Sequence, residues 1–148
     1  MTVDRTVLIV RIARIRDELR RLGRLKGSSL DAFLGSTLEQ HATERELQIV
    51  IEACLDIGHH LIAREGLRRP GEYREVFAIL GENGIVPVPM VPRLQSMAGL
   101  RNVLTLMYLE VDPARVFRFA TQELGDVEAF VQIVVTRYGM EQRLSVGS

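Results

Sequence analysis

The sequence predicts an all-α, antiparallel up-and-down bundle of five to six helices, in a single domain covering residues 1–148. Three observations carry that expectation. Apolar residues recur at steps of three and four over long stretches, the spacing that puts them on one face of a helix. No stretch alternates apolar and polar residues in the way a half-buried strand does. Glycine, proline and Ser/Asp capping residues separate the periodic stretches at intervals short enough to join antiparallel neighbours.

The first periodic stretch is Val3–Leu25. Leu8, Ile12, Ile15, Leu19 and Leu22 form its core-facing stripe, and Gly23 and Gly27 mark a frayed end. Ser28-Ser29-Leu30-Asp31 offers an N-cap, from which a short helix runs to about Gly35. Thr37–Glu65 is a long third helix with the stripe Leu47, Val50, Cys54, Ile57 and Leu61, stopped by Gly66. Arg68-Arg69-Pro70-Gly71 is a turn. Glu72–Glu82 makes a fourth helix, ended by Asn83-Gly84. Ile85–Pro92, with three prolines, is expected to be extended.

A fifth helix covers Val91–Met107, with Leu94, Met97, Leu100 and Leu104 on its apolar side. Gly99 inside it costs about 1 kcal/mol against Ala, so a close backbone approach is expected there. Asp112-Pro113 starts the last helix, an N-cap followed by proline at the first helical position. That helix is expected to run unbroken to about Tyr138. Val116, Ala120, Leu124, Val127, Val131, Val134 and Tyr138 step by four or three along it, close to a heptad seam.

The chain has 148 residues, of which 47% are apolar, enough to bury a proper core. No run approaches the ~20 apolar residues of a membrane span. The start, Met-Thr-Val-Asp-Arg, carries no apolar signal core, so a cytoplasmic location is expected. The single cysteine, Cys54, has no internal disulfide partner and reads as a small buried side chain. Lys+Arg and Asp+Glu balance at 19 each, so net charge carries no nucleic-acid signal. Lys26 is the only lysine; Arg11, Arg14, Arg16, Arg20, Arg21 and Arg24 crowd the first helix. Arginine suits bidentate phosphate contacts, but a solvated helix face is the commoner reading of such a run.

Chemistry is concentrated in Leu100–Pro113. Arg101 and Tyr108 are seven apart and share a helix face; Asn102 and Leu106 are four apart and share another. Arg101 and position 106 diverge by roughly 140° on an ideal helix. A site using both needs a distorted helix or a second copy of the chain opposite. Taken alone, an Arg–Asn pair in an apolar helix is most often ion-paired or capping, and a Tyr near a helix end is most often a core residue with a wet hydroxyl.

This stretch resembles the signature of the HEPN superfamily, and within it the HepT-like toxins: Arg-x4-His-x-Tyr, a polar residue after the Arg, and an acidic-Pro helix start downstream. Arg101, Asn102, Tyr108 and Asp112-Pro113 fall where that pattern puts them. The resemblance extends over most of the chain, through a long first helix, the segment Glu44–Ala53 running into Cys54–His60, and Glu72–Leu80. One position departs from it: Leu106 stands where the family has its catalytic His.

The resemblance implies a metal-independent ribonuclease toxin with no cofactor, a homodimer or larger, with its cleft where two motif helices meet. It implies a cognate minimal nucleotidyltransferase antitoxin as partner, which transfers AMP to Tyr108. In such a reaction an RNA 2′-hydroxyl attacks the adjacent phosphate, helped by a group with a pKa near 7, for which His is the natural choice. Arg101 can neutralise the charge building on the phosphate. Leu106 has no ionisable atom. The three histidines offer no evident substitute: His41 reads as exposed, and the adjacent His59 and His60 lack the i, i+4 spacing of helical metal ligands. No metal site is expected.

Leu106 has two explanations: a natural relative that has lost catalysis, or an inactivating mutation of a toxic nuclease. The catalytic positions are thus Arg101, Asn102 and 106, with cleavage by this chain expected to be impaired. The alternative is a non-catalytic HEPN module that binds a nucleotidyltransferase partner or a nucleotide. A plain helical interaction domain is the third reading, and the motif disfavours it.

Overall fold

The computed structural model describes residues 4–106 and 111–140. Among them are seven α-helices and no strand: α1 Arg5–Leu22, α2 Leu30–Leu34, α3 Thr37–Arg64, α4 Tyr73–Glu82, α5 Val91–Leu106, α6 Pro113–Gln122 and α7 Gly125–Arg137. Short 3-10 turns at Gly23–Gly27 and Val88–Met90 complete the path.

Local chemistry starts the helices. The Asp4 carboxylate accepts from the Thr6 N–H at 2.9 Å, Ser29 Oγ from Ala32 at 3.1 Å, Ser36 Oγ from Glu39 at 3.1 Å, and Asp112 from Ala114 at 3.0 Å. Each such cap contributes about 1 kcal/mol by satisfying an amide that the helix leaves open. Gly66 and Gly84, at φ +68° and +71°, take the left-handed conformation just past α3 and α4, where a side chain would be strained.

The longest helix, α3, is the axis of the bundle. It packs against α1, α2, α4, α5 and α6. Its whole expected stripe is buried, and Ile51, Leu55 and Ile62 beside the stripe are buried too. A helix apolar on more than one side must be surrounded. Phe77 of α4 meets Phe130 of α7 edge to face at 5.7 Å, and Phe33 of α2 meets Phe117 of α6 at 5.1 Å, geometries that aromatic quadrupoles favour. No helix among the described residues is long and apolar enough to cross a membrane.

Four local expectations are corrected. The last helix is not continuous: α6 ends at Gln122 and α7 begins at Gly125. The apolar steps run through the break, because Leu124 stays partly buried. The chain must nevertheless turn there, from packing on α2 and α3 to packing on α5. The end of α1 is not frayed. It tightens into a 3-10 turn held to α3 by Arg24, which pairs with Glu39 at 2.6 Å and Glu46 at 2.8 Å. The proline segment is not wholly extended, since Val88–Met90 coil and α5 starts at Val91. Pro92 fits there because the amides of a first helical turn lack partners anyway.

The fourth correction concerns close approach. A Cβ at Gly99 would meet nothing within 4 Å among the described residues. The tight positions are Gly58, where a Cβ would lie 2.5 Å from Val76 Cγ1, and Gly81, 2.6 Å from Val91 Cγ2. These glycines let α3 and α4 approach each other and let the start of α5 cross the end of α4.

Candidate active site

The last two turns of α5 carry the motif. Leu94, Met97, Leu100 and Leu104 are buried and clamp the helix to the core. That anchorage sets the direction of every other side chain on it. Arg101 turns inward towards α3 and α4. Its Nη2 lies 3.5 Å from Glu52 Oε1 of α3, and its guanidinium carbon sits 4.4 Å from the ring centroid of Tyr73, the first residue of α4. This is a cation–π stack with the charge over the ring face. Arg101 Nη1 donates to Asn102 Oδ1 at 3.3 Å. The Arg101 Nε–H is buried and has no hydrogen-bond partner among the described residues.

Around this core, Gln48 Nε2 reaches Glu52 Oε1 at 3.4 Å and Thr105 Oγ1 at 3.5 Å, tying α3 to the last turn of α5. Asn102 is exposed, and Leu106 is 50% exposed. Arg101 and Asn102 are thus brought together, while Leu106 points to solvent. The helix runs regularly through residue 106, so the divergence expected of an undistorted helix stands. Tyr108 lies outside the described residues. Glu52, Tyr73, Gln48 and Thr105 went unremarked as site residues in the sequence. Glu52 alone left a trace, a carboxylate inside the apolar run Val50-Ile51-Glu52-Ala53-Cys54.

His41 and His59 are exposed. His60 Nε2 accepts from the Asp4 N–H at 3.1 Å, which ties the start of α1 to α3. Burial, and next the Arg64 charge, push the His60 pKa below its ordinary value. Among the described residues no three His, Cys, Asp or Glu side chains gather closely enough to hold a metal ion. Of the seven arginines on α1 and the turn after it, five are in ion pairs: Arg11 with Asp56, Arg14 and Arg21 with Glu18, Arg20 with Asp17, and Arg24 with Glu39 and Glu46. That face is an ion-paired, solvated one. Tyr138 donates to Glu65 Oε2 at 2.6 Å; burial first, and that bond second, push its pKa up to about 12.

An all-helical fold with an Arg–Asn pair near the end of its fifth helix agrees with the resemblance to HEPN proteins that the sequence carries. The family described as Ribonuclease HepT-like matches residues 15–134, and this chain belongs to it. It is 29% identical over 128 residues to an mRNA nuclease HepT of Shewanella oneidensis, covering 86% of this chain and 96% of that protein. It is 30% identical over 124 residues to a tRNA nuclease HepT of Aphanizomenon flos-aquae, covering 82% and 84%. Among solved structures it resembles the tri-AMPylated Shewanella oneidensis HEPN toxin in complex with its MNT antitoxin. There the TM-score is 0.81 at 28% identity, covering 88% of this chain and 97% of that one.

Proposed function

We propose that this chain, as one domain of residues 1–148, is the ribonuclease-type toxin of a HEPN/nucleotidyltransferase toxin–antitoxin pair. Its catalysis is impaired because Leu106 replaces the family His. The observation that carries this is Arg101: a guanidinium fixed over Tyr73, beside Asn102, at the motif position of a chain that belongs to a ribonuclease family. The substrate is RNA, and the setting is cytoplasmic. The two nuclease relatives act on different RNA classes, mRNA and tRNA, so the proposal is confined to RNA as a class.

In the active form the 2′-oxygen attacks the neighbouring phosphorus and the bond to the 5′-oxygen breaks. The 2′-proton passes to a base, and the departing oxygen takes a proton. Arg101 offsets the charge that grows on the non-bridging oxygens, and Asn102 orients the guanidinium or the phosphate. A His at 106 would move the protons; a Leu moves none. Because Arg101 and position 106 diverge on a regular helix, the cleft is built from two copies of α5 in a homodimer or larger assembly. Regulation falls to a cognate minimal nucleotidyltransferase antitoxin. It transfers AMP from ATP to the Tyr108 hydroxyl, forming a phosphodiester and releasing pyrophosphate.

Cleavage tests the assignment. The chain as it stands should cleave RNA negligibly, and Leu106→His should restore cleavage without added metal. Arg101→Ala in that background should abolish it. Losing a general acid–base group costs about 10²–10⁴-fold in rate. Equal cleavage with Leu or His at 106 would place the chemistry elsewhere. The half-exposed apolar side chain at a catalytic position also favours a second reading, a non-catalytic module that binds the nucleotidyltransferase or a nucleotide. A stable complex with the antitoxin, together with no cleavage by Leu106→His, would select it.

A further inference from the structure

Arg101 is held in an unusual balance. A guanidinium has five N–H donors, and a structural Arg–carboxylate bridge normally uses two of them at short range. Arg68 and Glu82 show that form in this molecule, with Nε and Nη2 donating to the two carboxylate oxygens at 3.1 and 2.7 Å. Arg101 does not follow it. Its contact with Glu52 is 3.5 Å, its bond to Asn102 is 3.3 Å, and its Nε–H has no acceptor among the described residues. The two partners also differ in freedom. The Arg101 side chain is 18% exposed, while that of Glu52 is 39% exposed. Glu52 can swing into water; the guanidinium, stacked on Tyr73, cannot.

We propose that Glu52 is the exchangeable counter-ion of an anion site on Arg101 and that Tyr73 is its floor. In the free chain the Glu52 carboxylate stands where a phosphodiester oxygen would bind. An incoming phosphodiester displaces it and takes the donors that Arg101 leaves underused. The Tyr73 ring keeps the guanidinium plane in place in both states, so no reorganisation of Arg101 accompanies the exchange. When displaced, the Glu52 carboxylate keeps its i, i+4 neighbour Gln48, 3.4 Å away, as a donor. Glu52 and Tyr73 are then positioning residues, and Glu52 lowers the affinity of the resting site for anions. This rests on the ribonuclease reading for the identity of the phosphodiester, though not for the exchange itself.

The test has two arms. In the first, the full chain is titrated against a short, fluorescently labelled 2′-O-methyl RNA, which cannot be cleaved, and binding is followed by anisotropy at fixed salt. Glu52→Gln should bind about three- to tenfold more tightly. In an Arg101→Ala background the same substitution should change nothing, because its effect runs through Arg101. Tyr73→Phe should bind as the parent does, and Tyr73→Leu roughly two- to tenfold more weakly. Should Glu52→Gln fail to fold, Glu52→Asp, which keeps the charge but shortens the reach, should bind more tightly than the parent by a smaller factor. Where the parent binds RNA, tightening that persists without Arg101 would be a general charge effect and would overturn the proposal, as would unchanged or weaker binding by Glu52→Gln.

The second arm follows the Arg101 Nε–H resonance by NMR during titration with inorganic phosphate. The resonance should shift, and should do so at lower phosphate in Glu52→Gln. If it does while RNA neither binds nor is cleaved by Leu106→His, the exchange stands and the ribonuclease reading falls. If the resonance ignores phosphate in both proteins, the exchange falls, whatever the RNA results.

Discussion

At the scale of single residues, one hydroxyl and one thiol make the sharpest contrasts. AMP on Tyr108 would bring a phosphodiester charge and a bulky nucleoside to the motif two positions past residue 106. Arg101 would pair with that phosphate and be lost to RNA. On the proposed function Leu106 takes no part in the transfer, so incubation with the proposed cognate nucleotidyltransferase, ATP and Mg²⁺ should add AMP to the Tyr108 peptide. Tyr108→Phe should remove that mass shift; AMP still incorporated in the variant would take Tyr108 out of the mechanism. Cys54 is the opposite case. It is wholly buried in α3, and burial pushes its thiol up to about 12. Reactivity requires the thiolate, so the folded chain should resist a thiol reagent at pH 8 and react only when unfolded. Above the ordinary thiol range the unfolded chain loses its proton while the folded chain keeps it, so stability should fall as pH rises past about 9.

At the scale of helices, the glycines separate two kinds of position that look alike in sequence. Gly58 lies where α3 meets α4, and a methyl there would lie 2.5 Å from Val76 Cγ1. Gly58→Ala should destabilise the fold by about 1–3 kcal/mol, the usual cost of overpacking. Gly99 sits inside α5 with no described residue within 4 Å of its would-be Cβ. Gly99→Ala should stabilise by up to about 1 kcal/mol through helix propensity. Urea unfolding of the two variants should therefore move the midpoint in opposite directions; movement in the same direction would contradict the helix contacts described above. The helix signals were otherwise legible. Ser29 and Asp112 cap where the sequence placed an N-cap, and Ser36 caps α3 without having been singled out. The break between α6 and α7 was hidden because Leu124 keeps the apolar step across it, and Gly125 was the one local hint.

At the scale of the whole molecule, assembly is the open term in the mechanism. Arg101 faces into its own bundle and position 106 faces out, so a cleft that uses both needs a facing copy of α5. Sedimentation at tens of micromolar, well above the range of typical dimer affinities, should show a homodimer or a larger species. A monomer there would remove the two-copy cleft. The exposed side of α5 around Asn102 and Leu106 is the surface such an interface would cover.

The amino-acid order alone was enough for the all-helical class, for the buried stripes on α3 and α5 and for all of the α1 stripe but Leu19, which is only partly buried; it also singled out Arg101, Asn102 and position 106 as candidates. Those properties are local: an apolar step of three or four, a capping side chain and a motif within one helix all lie within a few turns of one another. It did not disclose that Glu52 and Tyr73 complete the surroundings of Arg101. They stand 49 and 28 positions away, on helices whose approach depends on how α3, α4 and α5 cross. Nor did it reveal the turn between α6 and α7, which is needed because the two halves of that apolar seam pack on different helices. Contacts distant in sequence depend on crossing geometry, and that geometry exists only once the core has closed.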